Sequence, residues 1–195
     1  MPRVVNIDER RFALASAAAR VVSRSGITGL TMRDVATEAG WTTGMLTHYF
    51  SNKQQLLRFT LETSLEQRRA TARERGETTP NMQLRATLLH ALPLDEESRL
   101  HWMVTVAFCA QASGDDELAA IQRDAYRKFR LDVAALVRSC GCFEGREAHL
   151  EAERLIAVVD GVAMQALFDP ESWGRKRQIH ALDTALANYS GTTSR

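Results

Sequence analysis

The sequence predicts an all-α chain: an N-terminal three-helix head carrying a helix-turn-helix, residues 1–52, and a C-terminal helical body, residues 53–195. Three observations lead there. Apolar residues recur at three- and four-residue spacings along nearly the whole chain, without strand-like alternation, internal repeat or low-complexity tract. Only four prolines occur, and Pro80, Pro93 and Pro170 fall where that period breaks. Ser, Thr, Asp or Asn precede several periodic segments, and Gly follows them, the usual start and stop signals of helices. At 195 residues and 45% hydrophobic composition the chain is long enough for one or two small domains with a real core.

The first helix has Phe12, Ala15, Ala19 and Val22 on one face and Gly26 just past its end. Thr31 opens the second, and Asp34 three residues later gives a capping-box-like start. Met32, Val35, Ala36 and Ala39 form its single apolar stripe, and Gly40 can supply the left-handed residue that ends it. Thr42 is a natural N-cap for a third helix, in which Leu46, Tyr49 and Phe50 share a face. Ser51-Asn-Lys-Gln54 reads as a second capping box, opening a long fourth helix. Two short helices hinged at a glycine, with longer helices on either side, have the order of a helix-turn-helix.

The other face of the third helix shows Thr43, Gly44, Met45, Thr47 and His48, small or polar groups with few charges. A helix that reads base edges needs such a surface. Gly44 would let the helix backbone lie close to DNA. Two capped surface helices would share this spacing; the order of parts favours a DNA reader lying in the major groove, with phosphate contacts on both flanks. Trp41 is expected to pack under the turn. His48 is balanced between a solvated surface position and a phosphate contact. Residues 1–60 hold Arg3, Arg10, Arg11, Arg20, Arg24, Arg33, Lys53 and Arg58 against Asp8, Glu9, Asp34 and Glu38. That is a net +4 in a chain of +1, leaving −3 for the remainder. The basic head is modest, so a dimer that doubles it is the expected binding species.

The body continues as helix. A long helix runs from 52 to about 75 and fades into Gly76-Glu-Thr-Thr-Pro80; another covers about 81–91. Asp95 caps the next, which Gly114 ends, and Asp115 or Asp116 starts a long helix to about Cys140. After a break from Gly141 to Gly145, two helices follow, about 146–168 and 174–189, with fraying at the end. The first carries a wide apolar surface through Leu155, Ile156, Val159 and Val162, and the second repeats Ile179, Leu182, Leu186 and Tyr189. No run approaches the roughly 20 apolar residues that span a bilayer, and no apolar signal core precedes the first helix, so a cytoplasmic location is expected. Cys109, Cys140 and Cys142 suggest no structural disulfide there, and Cys140-Gly-Cys142 lacks zinc-ligand spacing. No Gly-rich phosphate loop, metal cluster or nucleophile–base pair points to an enzyme, and no metal or other cofactor is expected.

Residues about 10 to 60 resemble the DNA-binding head of TetR-type one-component repressors. The family pattern, roughly Thr-x-Arg-x-[Ile/Val]-Ala and then Gly-Val-Ser-x-Gly-x-Leu-Tyr-x-[His/Tyr]-Phe with a nearby Lys, is met by Thr31, Arg33, Val35-Ala36, Gly40, Thr42, Gly44, Leu46, Tyr49-Phe50 and Lys53. Trp41 departs from it by replacing a small aliphatic residue, and Thr47 stands where an aromatic residue often contacts DNA, so no operator sequence carries over. The resemblance implies that Thr31, Thr42 and Tyr49 bond phosphates, that Lys53 adds a charge, and that Arg33 reaches a phosphate or a guanine edge. Thr43, Gly44, Met45, Thr47 and His48 would face the groove.

For the body the resemblance implies a homodimer built from the last two helices, with Leu155, Val159, Val162 and Ala166 meeting Ile179, Leu182 and Leu186 in a four-helix bundle. It also implies a small-molecule pocket, with Trp102, Met103, Phe108, Tyr126, Phe129 and Met164 as candidate lining. Asp160-Gly-Val-Ala-Met-Gln-Ala-Leu-Phe-Asp-Pro170 is similar to the C-terminal signature of the BetI-like branch, which includes regulators responding to choline-like compounds. Trp102 and Tyr126 would then suit an aromatic cage around a quaternary ammonium. The implied function is a dimeric repressor on a near-palindromic double-stranded DNA operator, released by a small-molecule effector. Effector-dependent corepression or activation, and a structural DNA-binding protein without effector, stand as alternatives.

Overall fold

A computed structural model describes residues 7–73 and 79–189, and every regular element among them is helical. In chain order these are α1 (Ile7–Gly29), α2 (Met32–Glu38), α3 (Thr43–Tyr49), α4 (Lys53–Arg73), α5 (Pro80–His90), α6 (Glu96–Ala112), α7 (Asp116–Ser139), α8 (Gly145–Phe168) and α9 (Arg175–Ala185). A 3₁₀ turn, Ala187–Tyr189, follows α9. The expected fading around Gly76 and the fraying of the last residues lie outside the described residues. Contacts gather the chain into two compact units, residues 1–67 with 103–121 and residues 68–102 with 122–195. No helix among the described residues is long and apolar enough to cross a membrane.

In the first unit, α1 buries Leu14, Ala15, Ala18, Val21 and Val22, α2 buries Val35 and Ala36, and α3 buries Leu46. Phe50, Leu56, Leu57 and Leu61 are buried as well. Phe12 does not join them. It is 44% exposed, because two residues from Leu14 along a helix points to the opposite side. Gly26 has φ 67°, as a helix stop requires, yet helical bonding resumes beyond it to Gly29, so α1 is kinked there.

In the second unit, α8 buries Ala148, Ala152, Leu155, Ile156, Val159, Val162, Ala163 and Ala166. Leu84 and Leu88 of α5, Val133 and Val137 of α7, and Leu182 of α9 are buried too. Side chains also close the helix ends. Arg99 donates to the carbonyls of Ala166 at 3.0 Å and Leu167 at 3.1 Å, placing a cation on the negative end of α8. Arg154 does the same for α9 through Ala185 at 2.9 Å.

Candidate nucleic-acid interface

The reader is assembled from caps. The Thr31 hydroxyl accepts the Asp34 backbone N–H at 3.1 Å, and the Asp34 carboxylate accepts the Thr31 N–H at 3.3 Å, closing the capping box of α2. The helix ends in a Schellman arrangement: Gly40 N–H donates to Thr37 and Trp41 N–H to Ala36, with Gly40 at φ 71°. Two residues later Thr42 caps α3, its hydroxyl oxygen accepting the Met45 N–H at 3.2 Å. Buried Leu46 then fixes the rotation of α3 and turns Thr43, Gly44, Met45, Thr47 and His48 to solvent.

The hydroxyls on this surface are not equivalent. Thr42 uses its oxygen as an acceptor, so its proton can be donated outward. Thr47 donates its proton to the Gly44 carbonyl at 3.0 Å, which leaves lone pairs and a methyl group for a groove. Thr31 donates its proton to the Asp34 carboxylate at 2.6 Å, so a phosphate bond from Thr31 requires that proton to turn away. Arg33 is exposed beside a shallow polar cleft of about 470 Å³ that it shares with Arg24, Asp34 and Glu38. Lys53, half-buried at the start of α4, reaches the Thr28 carbonyl at 3.4 Å.

Among the described residues nothing demands glycine at 44. A Cβ there would meet only the Thr42 hydroxyl oxygen, at 4.0 Å, and its φ is not positive. Tyr49 is half-buried, and its ring lies 5.8 Å from Trp41 and 5.3 Å, edge-on, from His48. Its hydroxyl accepts a hydrogen bond from Arg10 at 3.2 Å, while the Arg10 guanidinium sits 5.6 Å from the Trp41 ring centre. Trp41 is therefore half-buried beneath this cluster rather than in the core. Sequence reasoning counted Arg10 only as charge; its meeting with a tyrosine 39 positions away leaves no local signal.

The head's charge is unevenly available. Arg20 and Arg24 both grip Glu38, at 2.7 and 2.5 Å, and hold its carboxyl below the usual range. Arg58 is paired with Glu117 at 2.5 Å. Arg11 stacks over Phe59 at 4.4 Å and Phe50 at 5.4 Å.

The residues expected at the dimer interface lie mostly on the inward faces of their own helices. Leu155, Val159, Val162, Ala166, Leu182 and Leu186 are buried by their own chain, and Ile179 is half-buried. A side chain already covered has little surface left for a second copy. The solvent face of α8 carries a different series: Leu150, Ala157, Gly161 and Phe168 exposed, with Met164 half-buried among them. Leu150 is 54% and Phe168 76% exposed.

The effector candidates divide between the two units. Met103 and Phe108 belong to the first, half-buried and buried. Trp102, Tyr126, Phe129 and Met164 belong to the second. Trp102 is 3% exposed and donates its indole N–H to the Ala91 carbonyl at 2.7 Å, which marks a satisfied core position. Tyr126, half-buried, has its hydroxyl 3.2 Å from the Asp160 carboxylate.

A capped helix-turn-helix with a polar exposed third helix, joined to a larger helical body, defines the class of helix-turn-helix transcriptional regulators. Comparison with known proteins narrows it. Residues 14–58 match the profile of bacterial regulatory proteins of the tetR family, and residues 80–190 match the C-terminal part of BetI-type transcriptional repressors. The HTH-type transcriptional regulator PksA of Bacillus subtilis is 33% identical over 175 residues, which cover 87% of this chain and 84% of that one. A transcriptional regulator from Rhodococcus sp. Rha1 superposes with a TM-score of 0.82 at 30% identity, over 92% of this chain and 95% of that one. A putative regulator from Saccharomonospora viridis, solved in complex with choline, shares the fold with a TM-score of 0.78 at 20% identity, over 92% of this chain and 96% of that one. The chain belongs to the TetR family of transcriptional regulators, with a BetI-type C-terminal part. It is accordingly a regulator and not an enzyme.

Proposed function

We propose that the protein is a cytoplasmic homodimeric repressor whose two heads read a near-palindromic operator and leave it when a small molecule binds the body. Residues 1–52 act as reader, and residues 53–195 as sensor and dimerisation part. The observation that carries the reading is the solvent face of α3, where Thr43, Gly44, Met45, Thr47 and His48 stand exposed between the outward Thr42 hydroxyl and Tyr49. In this reading those five face the major groove. Thr31, Thr42, Tyr49 and Lys53 hold the flanking phosphates, and Arg33 serves a phosphate or a guanine.

A second copy packs along the exposed stripe of α8. Leu150 and Phe168 supply apolar area, and Ala157 and Gly161 permit close helix approach. Two heads then meet successive major grooves about 34–36 Å apart. Release is a population shift: the operator favours one spacing of the heads and the effector another. The test is DNA affinity at fixed salt across a panel of small molecules, with titration of the purified protein by calorimetry. A compound that binds and lowers affinity for DNA supports the repressor. A panel in which nothing changes affinity leaves an effector-independent DNA binder instead, and a compound that raises affinity makes it a corepressor-dependent one.

One observation favours an organic cation as effector. Tyr126 places an aromatic ring beside the Asp160 carboxylate, a pairing that suits a quaternary ammonium, and the S. viridis relative was solved with choline. The Trp102 half of the expected cage is weaker, since its indole is fully buried and bonded. Heat on titration with choline, lost in Tyr126→Ala, is the expected result; no heat removes the cation.

A further inference from the structure

We propose that Arg10 is an additional phosphate-contacting residue of the reader, which grips one backbone phosphate together with Tyr49 while Trp41 serves as its platform. This rests on the DNA-reading function proposed above and adds a residue to it.

Three features of the cluster point the same way. Among the head's arginines, Arg20 and Arg24 spend their charge on Glu38, and Arg58 on Glu117. Arg10 instead rests on a phenol and an indole, both neutral, so these contacts hold it without cancelling its charge. The second feature is the direction of the hydrogen bond. Arg10 donates to the Tyr49 oxygen, so the phenol's own proton must point elsewhere, and a phenol that accepts from a cation becomes a stronger donor. The third is that a guanidinium has several N–H groups in one plane, of which Tyr49 takes one. Arg10 and Tyr49 together thus offer a phosphate oxygen a charged donor and a polarised hydroxyl at the end of α3.

Trp41 explains why the arrangement holds still. Its ring lies 5.8 Å from that of Tyr49, tilted by 52°, and under the Arg10 guanidinium, so both partners pack against one side chain. A cation over an indole face keeps its attraction without a carboxylate. The large residue in the turn between α2 and α3 therefore has a task that a small aliphatic side chain could not perform.

The test is fluorescence anisotropy of the full-length protein on a labelled random-sequence duplex and on a duplex recovered by selection, across a salt series. Arg10→Ala is expected to weaken both duplexes by the same factor. It should also reduce the slope of log affinity against log salt by about one per bound protomer. Arg10→Lys, which keeps the charge, should restore the slope and part of the affinity. An unchanged slope with unchanged affinity overturns the proposal. Weaker binding at an unchanged slope overturns it too, because Arg10 would then only position Tyr49. A loss confined to the selected duplex would make it a base reader, which also contradicts a phosphate grip. If Arg10→Ala fails to fold by circular dichroism, Arg10→Gln and Arg10→Lys carry the comparison, with only Gln lowering the slope. Failure of the wild-type protein to bind any duplex at low salt would instead remove the DNA-reading function, and this residue with it.

Discussion

Thr42 caps α3 by accepting the Met45 N–H on its hydroxyl oxygen, and in the proposed reading the proton of that hydroxyl is donated to a phosphate. Gly44 is the complementary case, a residue with no internal task. Its added Cβ would meet ordinary space, so Gly44→Ala should leave the fold intact and raise helix stability by up to about 1 kcal/mol. If the backbone of α3 lies against DNA, the same methyl group costs affinity. The expected outcome is a higher melting temperature with weaker binding to DNA, read by thermal melts and anisotropy. Unchanged affinity would move the groove contact away from Gly44. The thiols have a plainer chemistry. Burial, with Cys142 beside it, pushes the Cys140 thiol up to about 11, so its reactive thiolate is scarce at neutral pH.

At the scale of elements, local chemistry was legible and tertiary placement was not. The Thr31–Asp34 box, the Thr42 cap and the Gly40 stop are set by neighbours within a few residues, and the structure has all three. Where two local options competed, the outcome turned on one atom. Asn52 rather than Ser51 caps α4, because its side-chain oxygen accepts the Gln55 N–H at 2.8 Å, while the Gln55 side-chain oxygen accepts the Ser51 backbone N–H at 2.7 Å. Asp115 rather than Asp116 caps α7 by accepting from Glu117 and Leu118. The apolar pattern of α8 and α9 announced burial but not what buries it: of the side chains assigned to a second copy, all but the half-buried Ile179 are buried by the chain itself.

The exposed stripe offers a sharper test. A Cβ at Gly161 meets nothing within 4 Å, so Gly161→Leu should fold normally as a single chain but obstruct close approach along α8. Sedimentation is expected to show a wild-type dimer and a weakened or monomeric variant. Equal dimerisation of the two would place the interface elsewhere. Between α5 and α9, Arg85 binds Asp183 at 2.7 and 3.0 Å and holds its carboxyl below the usual range. Arg154 does the same for Glu151 on α8. A depressed folded value means the stabilisation is complete above the ordinary carboxylate range and is lost as pH falls through the lowered values. Melting temperature should thus be flat near neutrality and decline in acid. The Arg85→Ala variant should decline less, and by a modest amount, since both partners are about half exposed.

For the whole molecule, net charge is a poor guide and its distribution a better one. The head's surplus was legible in the sequence, but its division between internal ion pairs and solvent was not, because Arg20, Arg24 and Arg58 meet carboxylates 14 or more positions away. With that charge spent internally, one head has few cations left for phosphates, which is the physical argument for two heads acting together. The identity of the effector is hidden for a related reason. Aromatic residues spaced along α6 and α7 can be core or lining, and only their packing decides, as the bonded indole of Trp102 illustrates. The central claim, a symmetric dimeric reader built on α3, is tested most directly by selecting bound sequences from random duplex DNA with the purified full-length protein. An enriched short inverted repeat, its halves about one helical turn apart or a multiple of it, is the predicted result. Enrichment of a single unrepeated site, or of no sequence at any salt concentration, would contradict it.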